Sequence, residues 1–300
     1  MAPAAPSAPS ALTRALPALA LTFNAFVWGV SWWPFRELQA RGLHPLWATV
    51  LVYAVAVLFI SAWRPQAWGQ LWRARTLWVL VLASGTTNAA FNWGVTVGDV
   101  VRVVLLFYLM PLWAVLLARL LLKEALTPQA LGRVALALLG AVIVLWPENE
   151  QGGGLPLPRT LPEWLGVLGG FTFALNNVML RREAHQPEAA RALAMFLGGS
   201  VVSALLATAL MAQGSVPALP AVASGWVLGA LALALAFLAS NLALQFGASR
   251  LPANVTAVVM ITEVLFASGS AVLLGAGVVT PALALGGGLI VAAALLAGKD

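Results

Sequence analysis

Cysteine is absent from the 300 residues. That excludes a disulfide framework, a thiol nucleophile and a thiolate metal site. Charge is nearly as scarce: Asp, Glu, Lys and Arg make up 9% of the chain, where a soluble domain carries about 25%. Histidine occurs twice, at His44 and His185, too rarely and in too loop-like a setting for a metal centre. Also missing are a Ser/His/Asp constellation, a His-Glu-x-x-His helix and a phosphate-cradling loop. No catalysis, cofactor or metal is therefore expected. What fills the chain instead is apolar, at 61% hydrophobic residues. Such a composition cannot cover a surface in water, so the expected class is an all-α, polytopic membrane protein. The formal charge of +6 would suggest nucleic acid in a soluble protein. Here the basic residues fall at the ends of apolar runs, where they set orientation and meet anionic lipid, and no nucleic-acid partner is expected.

Ten runs approach the roughly 20 residues that a spanning helix needs: 15–35, 45–63, 76–97, 100–122, 128–147, 161–181, 190–212, 222–248, 251–274 and 280–298. Prolines punctuate them, as at His44-Pro45, Arg64-Pro65, Thr127-Pro128, Gln186-Pro187 and Thr280-Pro281. Residues 1–14 read as a disordered Ala/Pro/Ser-rich tail. A signal peptide is the rival reading of the first apolar run, but that run extends to Phe35, exceeds a signal core and lacks a clear cleavage site. With the N-terminus placed inside, Arg14, Arg64, Arg73, Arg75, Arg119, Lys123, Arg133, Arg181, Arg182, Arg191, Arg250 and Lys299 fall inside. Only Arg36, Arg41, Arg102 and Arg159 fall outside, so the positive-inside rule puts both termini in the cytoplasm.

The chain also repeats itself. Asn88-Ala-Ala-Phe-Asn92-Trp-Gly94 precedes Leu126-Thr-Pro128, and Asn241-Leu-Ala-Leu-Gln245-Phe-Gly247 precedes Val279-Thr-Pro281. One offset of 153 carries 88, 92, 94 and 128 onto 241, 245, 247 and 281. This divides the chain into a first five-helix repeat over 15–147, a periplasmic linker over 148–160 and a second repeat over 161–298. An odd number of helices per repeat inverts the second relative to the first, a plan common among alternating-access carriers.

The repeat also organises the polar residues. Asn88 and Asn92 share one helix face, as do Asn241 and Gln245. A second offset, of 146, aligns Arg36-Glu37 with Arg182-Glu183 and brings Asn177 opposite Ser31, with Asn24 and Asn176 nearby. Amides are costly against lipid. They either line a central cavity that binds a polar, zwitterionic solute or hydrogen-bond between helices. Glu263, alone deep in an apolar run, could bind an ammonium, relay a proton or serve as a paired structural group. Trp28, Tyr108 and Phe173 would form apolar walls, and Pro111 would kink or hinge the fourth span. Asp99 and Arg102 read as a solvated pair at the outer turn. The Gly-x-x-x-Gly spacings at Gly94/Gly98, Gly166/Gly170 and Gly225/Gly229 read as packing.

Tyr108-Leu-Met-Pro111-Leu-Trp-Ala114, followed by Leu120-Leu-Leu-Lys-Glu124-Ala-Leu-Thr-Pro128 and Gly140, resembles the repeat-closing pattern of the drug/metabolite transporter superfamily in its EamA-type exporter branch. The second copy departs from that pattern, with Glu263-Val264 where relatives have Glu-Pro and Gly277 where they have an acidic residue. The Asn254-Val-Thr-Ala257 segment is similar to YddG-type amino-acid exporters. The resemblance implies ten helices in a basket around a cavity and efflux of amino acids, aromatic ones included. It places Phe173 where an aromatic is expected and Met110 where one is common, which widens the implied substrate range. The expectation is an inner-membrane, monomeric exporter of small solutes, with Trp28, Asn88, Asn92, Tyr108, Phe173, Asn177, Asn241, Gln245 and Glu263 lining its site. Export of drugs or toxic cations and a non-transporting scaffold or receptor are the alternatives.

Overall fold

A computed structural model describes residues 11–123, 127–146, 157–222, 224–248, 250, 259–260 and 262–297; the side chains of Pro111 and Gln245 lie outside the description. The regular elements among the described residues are all helices. In order they form α1 (Ala11–Val30), α2 (Trp32–Ala40), α3 (Pro45–Trp63), α4 (Gln66–Arg73), α5 (Leu77–Val97), α6 (Val100–Phe107) and α7 (Met110–Leu117). A π-turn (Ala118–Leu122) follows α7, and then come α8 (Pro128–Leu145), α9 (Leu161–Arg182), α10 (Glu188–Ala212), α11 (Ser224–Ala248), α12 (Thr262–Leu273) and α13 (Pro281–Ala297).

Local chemistry fixes the ends. α3 begins with Pro45 behind His44, whose Nδ1 accepts the Leu46 amide at 3.2 Å. Asp99 accepts the Arg102 amide at 2.8 Å and starts α6. α9 opens on a capping box in which Thr160 and Glu163 accept each other's backbone amides. Two of the expected spans are broken. The first divides at Ser31, whose hydroxyl donates to the Trp28 carbonyl at 2.7 Å. The fourth divides at Tyr108–Leu109, and Pro111 falls in the first turn of α7, where its missing amide hydrogen is not needed.

Five helical stretches among the described residues are long and apolar enough to cross a bilayer: Ala15–Ala40, Pro45–Trp63, Val100–Leu122, Glu188–Ala212 and Gly225–Leu244. Shorter apolar helices run over Pro128–Val144, Thr262–Leu273 and Pro281–Ala293. Large side chains such as Leu58, Leu120, Leu228, Leu265 and Leu273 are mostly exposed. An apolar girdle of this extent belongs in lipid. The protein is a membrane-embedded, multi-pass chain.

With no apolar force separating helix from lipid, close backbone packing holds the bundle. α5 packs on α9 and α10, α3 on α10, α1 on α11 and α12, and α8 on α13. A Cβ on Gly198 would lie 2.1 Å from the Val81 carbonyl oxygen, and one on Gly85 would lie 2.4 Å from the Gly198 oxygen. Gly140 and Gly286 meet equally closely between α8 and α13. Of the expected Gly-x-x-x-Gly pairs, Gly166 and Gly170 abut the α6 backbone and Gly98 abuts Pro162, whereas Gly225 touches only the Arg41 side chain.

Candidate functional site

Between the helices lies a cavity of about 620 Å³. Helical spacing sets its walls, because residues four apart share a face. α1 contributes Asn24 and Trp28, α5 contributes Ser84 and Asn88 together with Thr87 and Phe91, and α9 contributes Phe173 and Asn177 together with Asn176 and Leu180. α10 supplies Glu188, Arg191 and Met195, and α11 supplies Asn241. Tyr53 of α3, Tyr108 and Glu263 complete the deeper part. The cavity extends to the end of the bundle where α9 turns into α10, and there Asn177 and Glu188 are exposed.

One side is aromatic. Phe91 stacks edgewise on Phe107 at 4.8 Å, and Phe107 lies 5.2 Å from Phe173. Trp28 meets Phe91 at 6.3 Å and is braced from behind by Phe237 at 4.5 Å. Offset and edge-to-face rings of this kind present a rigid apolar surface to a solute.

The polar groups differ in how fully they are satisfied. Asn88 is occupied by protein: its amide nitrogen donates to the Ser84 carbonyl at 2.8 Å and its oxygen accepts from the Tyr53 hydroxyl. Asn92 does not reach the cavity. One turn beyond Asn88, it is fully buried between α5 and α3 and donates to Thr49 Oγ1 at 3.0 Å. The Asn241 amide nitrogen donates to the Phe237 carbonyl one turn back at 2.8 Å. Glu263 of α12 is buried and accepts the Tyr108 hydroxyl at 3.2 Å. By contrast, the buried side-chain oxygens of Asn24 and Asn176 have no hydrogen-bond partner, nor does that of Asn92 outside the cavity. Buried polar atoms of that kind are rare and call for a ligand or water.

The opposite end of the bundle is closed. Arg36 donates to the carbonyls of Thr96 at 3.0 Å, Val95 at 3.3 Å and Gly98. Trp32 Nε1 donates to Ser270 at 2.9 Å. Arg102 does not pair with Asp99 in solvent. Asp99 is used as the α6 cap, and Arg102 Nε meets the buried Glu163 at 2.7 Å, tying α6 to α9.

Residues 15–146 match the EamA-like transporter family. An uncharacterized transporter of Pseudomonas aeruginosa is 32% identical over 131 residues, which cover 42% of this chain and 40% of that protein. The aligned segment thus spans less than half the length of that relative. A solved crystal structure of another protein superposes over 94% of this chain and 96% of its own, with a TM-score of 0.59 at 20% identity. At that identity the likeness is one of fold.

Trp28, Asn88, Tyr108, Phe173, Asn177, Asn241 and Glu263, all expected from the sequence, line the cavity together. Gln245 and the Asn254–Ala257 segment lie outside the described side chains. Sequence reasoning does not single out Tyr53, Ser84 or Arg191. The available signal for Tyr53 is that it is one of two tyrosines in the chain and falls mid-run. Arg191 reads in the sequence as an ordinary inner-side charge. No group of three or more His, Cys, Asp or Glu residues that could hold a metal occurs among the described residues.

Proposed function

We propose that this protein is a secondary transporter that exports small metabolites, best fitted by amino acids including aromatic ones, across the bacterial inner membrane by alternating access. The cavity carries this reading: about 620 Å³ of space with amides, a carboxylate and aromatic rings together inside a membrane bundle. That volume lies within the ordinary range for a small-molecule site, roughly 300–1,000 Å³. In this reading ten spans form two inverted repeats, 15–147 and 161–298, with both termini cytoplasmic. The helix pairing supports it. α5 packs on α9 as α11 packs on α1, the exchange that the repeat requires. Gly94 of α5 abuts Leu165 of α9, while its equivalent Gly247 abuts Leu21 of α1. Asn88 and Asn241, equivalent under the same offset, both reach the cavity. The open end, where α9 meets α10, then faces the cytoplasm, and the Arg36 and Arg102 contacts close the periplasmic end.

Glu263 and the ring wall favour a second reading, export of hydrophobic organic cations. Purified protein in sealed liposomes distinguishes the two. Labelled phenylalanine, leucine, lysine and an aromatic cation are supplied with and without a pH gradient. Uptake of the amino acids above empty liposomes is expected. Uptake of the cation alone replaces the first reading with the second. Failure of every solute, with a protein partner co-purifying, replaces both with a scaffold or receptor role.

A further inference from the structure

Arg191 is the one guanidinium among the described residues lining the cavity. It sits in the first turns of α10, one turn nearer the open end than Met195, whose carbonyl accepts the Ser84 hydroxyl at 3.1 Å. Its side chain is only partly exposed, and its Nε is buried with no hydrogen-bond partner. Glu188, three residues earlier, lines the same mouth but makes no ion pair with it, and no other described carboxylate lies within 4 Å. The remaining basic residues of the described bundle interior are already used: Arg36 on backbone carbonyls and Arg102 on Glu163. An unpaired cation within an apolar bundle is costly and persists where it faces a watery path or a ligand.

We propose that Arg191 is the anion anchor of this cavity, taking the carboxylate of the transported solute and favouring carboxylate-bearing molecules over those that lack one. This rests on the transport reading and adds a residue and a chemical group to it. A planar guanidinium offers two parallel donors that match a carboxylate, and such charge-assisted pairs are about twice as strong as neutral ones. Acceptors lie deeper. The carboxylate of Glu263 can receive N–H groups, and neither it nor the unpartnered oxygens of Asn24 and Asn176 can serve an anion. The cavity is therefore divided, with a donor toward the mouth and acceptors toward the interior. A solute with a carboxylate at one point and N–H groups at another satisfies both. A simple amine leaves Arg191 unmet.

The test uses purified protein in liposomes with phenylalanine and phenethylamine, which differ by the carboxylate. Wild type is expected to transport phenylalanine in preference to the amine. R191Q should raise the KM for phenylalanine about tenfold to a hundredfold, the range for losing a hydrogen bond between charged groups, and leave phenethylamine unchanged. R191K, which keeps charge but not the fork, should fall between. Equal phenylalanine kinetics in R191Q and wild type overturn the proposal while the transport reading stands. An equal loss for both solutes overturns it too, because Arg191 is then merely structural. If R191Q does not fold, competition in wild type decides, and the absence of a preference for phenylalanine refutes the anchor. Wild type that moves neither solute defeats the transport reading itself, and the anchor with it.

Discussion

Glu163 ties α6 to α9 at the closed end of the bundle, and removing it has a calculable cost. Its side chain is 9% exposed. One carboxylate oxygen meets Arg102 Nε at 2.7 Å, and the other accepts the backbone amides of Arg159 at 2.6 Å and Thr160 at 3.1 Å. Glu163→Ala strands the Arg102 cation and leaves two amides of the α9 cap without an acceptor. Losing one partner of a buried pair costs about 3–5 kcal/mol. The lower end applies here, because the Arg102 side chain is 29% exposed. Loss of the cap adds about 1 kcal/mol. The sum is about 4 kcal/mol. Glu163→Gln keeps an oxygen for the cap but offers Arg102 a neutral amide, and should cost about 1.5–3 kcal/mol. Unfolding in SDS, followed by intrinsic tryptophan fluorescence, measures these differences. A double-mutant cycle with Arg102→Ala should give a coupling above about 1 kcal/mol. A coupling below about 0.5 kcal/mol would place the pair among ordinary surface ion pairs and refute the argument that it ties α6 to α9.

Gly198→Ala should destabilise by about 3 kcal/mol or more, the upper range for overpacking, because its new methyl would meet the Val81 carbonyl rather than a yielding side chain. Gly69→Ala, which meets nothing within 4 Å, should be neutral or mildly stabilising in the same assay. Glu263→Gln should lower transport of zwitterions while the thermal transition stays near wild type; unchanged uptake removes Glu263 from the mechanism. Asn88→Leu and Asn241→Leu should both depress transport. Asn88→Leu should also lower stability by about 1–3 kcal/mol, the range for an orphaned polar partner, because it strands the Tyr53 hydroxyl. If Asn241→Leu leaves uptake intact, the two positions are not equivalent in function.

The sequence carries the helical class clearly, because apolar runs of spanning length bounded by Pro and Arg admit few other folds. It also carries part of the cavity, since the 88/241 correspondence is read directly from the chain. What it does not carry is where each polar atom is used. Asn88 and Asn92 look alike in sequence and share a face of α5, yet one lines the cavity and the other, one turn further along, bonds Thr49, a difference set by where along the helix the cavity ends. The breaks at Ser31 and Tyr108–Leu109 are hidden for a similar reason: each lies inside an unbroken apolar run and is expressed only through local backbone hydrogen bonding. Gly85 and Gly198 carry no spacing motif, and only the packing of α5 on α10 reveals why both must lack a side chain. Arg191 is hidden most thoroughly, since an arginine near a helix start looks the same whether it meets lipid headgroups or a solute.

The interruption at Ser31 separates two sets of attachments along one stretch of chain. Before it, Asn24 is fastened to Ser240 of α11 at 2.6 Å. After it, Trp32 and Arg36 are fastened to α12 and to the last turn of α5. A rod without a joint would transmit any tilt of one set to the other. The turn at Ser31 thus falls between the contacts that α2 makes with α5 and Ser270 and the contact that Asn24 makes with α11.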